Sequence, residues 1–270
     1  MRGVSNRRSA VPYAGPAVVA AVMLFAVWMA ATYLLEGLRL TLQRPDAVTD
    51  RLVYALVSNL VIGVLGSVLV LWIFAKAGTV DIRRAGFNPW RYSLIAVLAG
   101  AVLGFVLYLA QGGWLLEPMV LVNVYAQVLV VSMAEVLVCW CVLGSLVEAS
   151  LLHRNRWLTV LVATVVSSVF FGLYHFAHSP PFNTWELALL LTLIGLVTSI
   201  FFFVSRSVYG TIAFHNSLAI YGVIDTLEAS GSLDVFREPV VPLLVMAAAA
   251  VLVLIGGHLL LVARTRPGHG

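Results

Sequence analysis

Charge is scarce in this chain. Asp, Glu, Lys and Arg make up only 10% of its 270 residues, where an ordinary soluble domain carries about 25%. Apolar residues reach 61% against the usual 45–50% or so, and the mean hydropathy is +1.01 over the whole length. A water-soluble globule is therefore excluded. Cysteine is nearly absent too: Cys139 and Cys141 are the two present. Two positions apart on one helix they point about 200° away from each other, so they cannot pair and read as small apolar fillers. No low-complexity tract, block of like charge or strong internal repeat occurs. The net charge of +4 resides in short segments between apolar runs, so membrane topology accounts for it and nucleic acid is excluded as a partner.

What is present is a succession of apolar runs about twenty residues long, the length that crosses a bilayer as a helix. Bounded by charge, Pro or Gly, they fall near 16–38, 52–75, 92–110, 118–147, 157–177, 185–204, 208–224 and 240–263. This predicts an all-α fold: a polytopic integral membrane bundle of about eight transmembrane helices, with 1–270 as a single membrane domain. Arg2, Arg7 and Arg8 ahead of a long apolar run resemble a signal peptide, but the run exceeds a cleavable core, so it is expected to be retained as the first span. With the N-terminus inside, Arg2, Arg7, Arg8, Lys76, Arg83, Arg84, Arg91, Arg154, Arg156, Arg206, Arg264 and Arg266 lie inside, twelve of the sixteen basic residues. Both termini are thus expected in the cytoplasm, the membrane being a prokaryotic-type plasma membrane. Ala96, Gly100 and Gly104, Ser168 and Gly172, and Gly195 and Ser199 recur one turn apart, the pattern of closely packed helix seams in lipid.

Within the runs, few ionisable residues remain: Glu135, His175 and His215, with Glu36, His178 and His258 nearer the span ends. A charge at the bilayer centre costs on the order of 2.5–3.5 kcal/mol, so each group needs a partner, a wet cavity or a neutral form. Glu135 lies deep in its span, where it suits either a general base or a hydrogen-bonded structural carboxyl. His175 and His178 are three residues apart and could share a face as a metal pair, but His178, followed closely by Pro180-Pro181, is expected at the interface instead. A carboxylate and two imidazoles on three separate spans are together the equipment for activating water.

The order of these groups resembles the CPBP family of intramembrane proteases, which includes the CAAX prenyl endopeptidases and bacteriocin-processing or immunity-type members. The similarity runs over about residues 130–222, within a family-like core of 118–224. Phe170-Phe171-Gly172-Leu173-Tyr174-His175 is similar to the family's Phe-x-x-x-His motif, and Gly195 through Gly210-Thr211-Ile212 to His215 is similar to its Gly-containing helix, turn and third-motif histidine. The Glu-Glu-x-x-x-Arg motif falls on Ala134-Glu135-Val136-Leu137-Val138-Cys139, with Glu135 in second place; a register one residue along puts Glu135 first and Trp140 at the Arg position. The third motif, His-x-x-x-Asn, has Ala219 in its last place, with Asn216 next to His215.

The resemblance implies an intramembrane endopeptidase in which Glu135 and His175 activate a water and His215, with Asn216 as a substrate contact, stabilises the oxyanion. Its implied partners are the lipid bilayer and a membrane-associated protein or peptide, lipidated or not. Zinc on His175 and His215 and a metal-free glutamate mechanism both stay open as cofactor readings. Two other classes stay open beside it: a non-catalytic member whose cavity binds a partner, and cofactor or proton work, with His175 and His215 as axial haem ligands or Glu135 as a relay.

Overall fold

The computed structural model describes residues 14–41, 44, 47–113, 117–151 and 154–263; among them are helices and no strand. Arg2, Arg7, Arg8, Arg264 and Arg266 of the charge tally lie outside the described residues. Seven helices are long and apolar enough to cross a membrane: α1 (Gly15–Gly37), α2 (Val48–Lys76), α3 (Trp90–Ala110), α4 (Pro118–Ser150), α5 (Arg156–Ala177), α6 (Trp185–Ser205) and, last in the chain, α8 (Val241–Ala263). Between α6 and α8 runs α7 (Val208–Ala229). It is less apolar than the other seven because it is wrapped by its neighbours: Thr211, His215, Asn216 and Ser217 are all buried. The chain is an all-α polytopic membrane bundle, and each expected span matches a helix to within a few residues.

Local chemistry explains where helices start and turn. Pro118 occupies the first turn of α4, where its missing N–H costs nothing. Asn155, Thr184 and Ser207 cap α5, α6 and α7, accepting from Trp157, Leu187 and Gly210 N–H, the usual remedy for the unpaired donors of a first turn. The α6–α7 turn passes through Arg206 in the left-handed region, φ 47°. Its guanidinium grips buried Glu148 of α4 with two bonds, 2.6 and 2.7 Å, so that turn is anchored by a bidentate pair.

The centre of the bundle is α4, every residue of which from Ser132 to Leu146 is buried. Around it stand helices whose outer faces present Val, Leu and Ile to lipid, Val19, Ile95, Leu98, Leu189 and Leu252 among them. Three stretches, Tyr33–Gly37, Tyr54–Leu65 and Val136–Gly144, follow the wider i→i+5 hydrogen-bonding pattern, which recurs at functional positions in helices. Two of them border acidic side chains: Glu36 lies within the first, and Glu135 immediately precedes the third.

The expected small-residue seams are contacts between helices. A Cβ added to Gly100 would meet Gly210 O at 2.3 Å, and one on Gly195 would meet Ser168 Cα at 3.1 Å, so α3 packs on α7 and α6 on α5 at backbone distance. Gly100→Val is expected to destabilise the bundle by about 1–3 kcal/mol, the cost of overpacking a filled interface. Thermal unfolding in detergent reads this directly, and an unchanged midpoint would contradict the seam.

Candidate active site

Glu135, His175 and His215 come from α4, α5 and α7, and the fold brings all three together. Glu135 Oε2 lies 2.9 Å from His215 Nε2, and its Oε1 lies 3.8 Å from His175 Nε2. All three side chains are buried. Phe171 stands between the imidazoles, its ring edge-on to His175 at 4.6 Å and to His215 at 5.0 Å, and so holds the two rings apart.

Outer partners decide which ring nitrogens carry hydrogen. His175 Nδ1 is 2.8 Å from the Phe171 carbonyl, which can only accept, so Nδ1 donates and the neutral ring's Nε2 lone pair is turned toward Glu135. His215 Nδ1 meets Thr198 Oγ1 at 3.1 Å. With Nε2–H donating to Glu135, Nδ1 accepts from the threonine hydroxyl.

Ala134 and Glu135 point in different directions. Ala134 packs against α2, where a Cβ on Gly63 would fall 2.4 Å from Ala134 Cβ, while Glu135 turns to the histidines. Five residues beyond Glu135, Trp140 donates its indole N–H to Ser199 Oγ at 2.6 Å and lays its ring 5.4 Å from that of His215. Asn216 is elsewhere: its Oδ1 accepts from Ser132 at 3.0 Å and its amide donates to Tyr125 O at 3.2 Å. Because one residue is about 100° of helix, it is turned away from the group its neighbour joins and ties α7 to α4.

Two further groups join the cluster that sequence reasoning set aside. The last turn of α5, His175–Ala177, is 3₁₀, and at three residues per turn positions i and i+3 eclipse. His178 is thereby brought over His175, the rings stacking at 5.2 Å and 24°. Behind it, Glu36 of α1 stands 3.4 Å from His178 Nδ1 and accepts both the N–H and the hydroxyl of Ser179. The His-x-x-His spacing was a signal for this; the prolines, which end the helix, pointed away from it. Donor atoms of Glu135, His175 and His178 lie within 4.8 Å of one another, and His215 is outside that group among the described residues. The expected metal pair of His175 and His215 flanks Glu135, one imidazole near each carboxylate oxygen.

These groups line one cavity of about 360 Å³, within the usual size range of ligand sites. Leu187, Leu190 and Ile194 of α6 form one wall, and Leu218, Ala219 and Val223 of α7 another. Asn216 is not among its lining residues, whereas Ala219 is.

Residues 117–220 match the family described as type II CAAX prenyl endopeptidase Rce1-like. No curated protein and no solved structure matches the chain. The matched segment spans α4 to most of α7, the helices that carry Glu135, His175 and His215.

Because Asn216 bonds to α4 rather than to the cavity, Asn216→Ala is expected to cost stability, about 1–3 kcal/mol from the lost buried bonds, and to leave the cluster geometry intact. Thermal unfolding measures this; full stability combined with lost turnover would place Asn216 in the chemistry instead.

Proposed function

On the premise of a CPBP/CAAX-protease-type core, we propose that this chain is an intramembrane endopeptidase hydrolysing a peptide bond in a membrane-associated substrate. The observation that carries the reading is the meeting of the Glu135 carboxylate with both His175 and His215 at the wall of an apolar cavity. Glu135 is the general base. Its Oε1 is beyond hydrogen-bond range of His175 Nε2, so both keep capacity for a shared water, which gives its proton to the carboxylate as its oxygen attacks the scissile carbonyl. The same carboxyl then returns the proton to the leaving amine. His175 orients the water through its Nε2 lone pair, and His215, backed by Thr198, holds Glu135 in place.

The cavity walls are rich in leucine, with Leu187, Leu190, Leu191 and Leu218 among them, a lining that supports a substrate bearing an acyl or prenyl chain. Glu135 rather than Ala134 turns to the histidines, which favours the endopeptidase over a non-catalytic member whose cavity binds a partner. The whole chain, 1–270, acts in this reading as one membrane domain, since α1 contributes Glu36 and α2 packs against Ala134.

Glu135→Gln keeps the side chain's shape and removes the base. With a farnesylated peptide ending in a CAAX sequence as probe, the expected loss of cleavage is about 10²–10⁴-fold. Equal turnover by this variant would remove Glu135 from the mechanism.

A further inference from the structure

A second cavity, of about 440 Å³, lies at the end of α4 remote from Pro118 and is lined by Arg84, Arg154, Arg156 and Arg206 together with Glu148. Glu148 stands thirteen residues beyond Glu135, about 20 Å along the helix, so this space is separate from the cavity of the Glu135 cluster. Three connections converge on it. The α2–α3 segment brings Arg84, the α4–α5 turn brings Arg154 and leads into Arg156, and the α6–α7 turn brings Arg206. Arg206 Nη1 joins two of them by donating to Arg84 O at 3.2 Å. We propose that this cavity binds the phosphate of an anionic phospholipid headgroup.

The charge of the lining calls for an anion. Among the described residues, four guanidinium groups line the cavity against one carboxylate, a surplus of three positive charges. Both oxygens of Glu148 are engaged by Arg206, at 2.6 and 2.7 Å, so the acid is matched within its own pair. Asp81, close by in the α2–α3 segment, accepts from the Arg83 N–H and is not among the lining residues. Arg84, Arg154 and Arg156 are exposed, and their like charges repel across the cavity, a cost that an anion between them removes. The guanidinium fork also matches phosphate oxygens with paired N–H donors.

The place of the cavity in the bundle selects a lipid over free phosphate. Arg156 opens α5, and the next residue, Trp157, is 81% exposed, an indole at the level where such side chains mark the membrane interface. From there Leu158, Leu161, Val165 and Val169, all exposed, fall in one stripe of α5 by their three- and four-residue spacing. A headgroup held by the arginines lays its acyl chains beside this stripe. Basic pockets between membrane helices at headgroup level are a recurrent form of anionic-lipid site. An occupant would tie the three connections together, including the turn that leads into the helix carrying His215.

The test uses the full chain, purified in an uncharged detergent and stripped of lipid. The probes are phosphatidylglycerol, phosphatidylcholine with the same acyl chains, and inorganic phosphate. Native mass spectrometry should retain one phosphatidylglycerol per chain at concentrations where phosphatidylcholine is not retained, and phosphatidylglycerol should raise the unfolding midpoint. Arg84→Gln and Arg156→Gln alter exposed side chains and leave the Glu148–Arg206 pair intact. Each should weaken phosphatidylglycerol binding about fivefold, the attraction of one basic residue near the membrane surface. Arg237→Gln, at the other end of the bundle where Arg237 pairs with Glu117 and Asp234, should bind as the unaltered chain does. Midpoints without lipid identify any variant that fails to fold, in which case the contrast between the two lipids and the remaining arginine variant decide. Equal retention of the two lipids, or equal weakening in Arg237→Gln, overturns the site. A midpoint raised as far by inorganic phosphate as by phosphatidylglycerol overturns it too, leaving an ion site without a lipid.

Discussion

A carboxyl group within the apolar length of a membrane bundle must find partners, and much of this structure is organised around that requirement. Glu135 lies in the most enclosed helix, with His215 on one oxygen and His175 near the other. Each of those imidazoles is held in turn, by Thr198 and by the Phe171 carbonyl. The helix backbone beyond Glu135 adopts the wider π pattern, and Trp140 within it is fixed by Ser199, which also meets Ser168. Polar residues behind α5 follow the same rule: Trp28 stacks on Tyr174 at 3.6 Å while its indole donates to Asn59, and Thr32 bridges Ser58 and Tyr174. Where water is excluded, these polar groups are satisfied by one another, and the resulting network fixes the helices in register.

The spans were legible because lipid demands apolar surface, a signal that survives without any knowledge of tertiary contacts. It weakens at α7, whose residues face protein on most sides and can therefore be polar. The chemistry was legible for the same reason inverted: Glu135, His175 and His215 stand out where ionisable residues are expensive. Direction was not legible. Whether Ala134 or Glu135 faced the histidines depended on a rotation of about 100°, and the answer lies in the approach of Ala134 to Gly63 on a different helix. Asn216, one residue beyond His215, is turned by the same rotation toward Ser132 and Tyr125.

His178 and Glu36 were set aside for a different reason. Both sit near helix ends, where an ionisable side chain ordinarily reaches the interface, and Pro180-Pro181 strengthened that expectation. The tightening of the last turn of α5 to 3₁₀ geometry stacks His178 on His175, and Glu36 arrives from a helix more than 140 residues earlier in the chain. A change of helical pitch over three residues and a contact at that separation leave no periodic trace in a sequence. Together they enlarge the site from a carboxylate with two imidazoles to a row of acids and histidines, Glu36, His178, His175, Glu135 and His215, running from α1 to α7.

The account stands on Glu135 and His215 acting as one unit. A double-mutant cycle of Glu135→Gln and His215→Gln, read as cleavage of the farnesylated CAAX peptide, tests this most directly. If His215 works through Glu135, the double variant is no slower than Glu135→Gln alone. Fully multiplicative losses, or no cleavage by the unaltered chain, would contradict it.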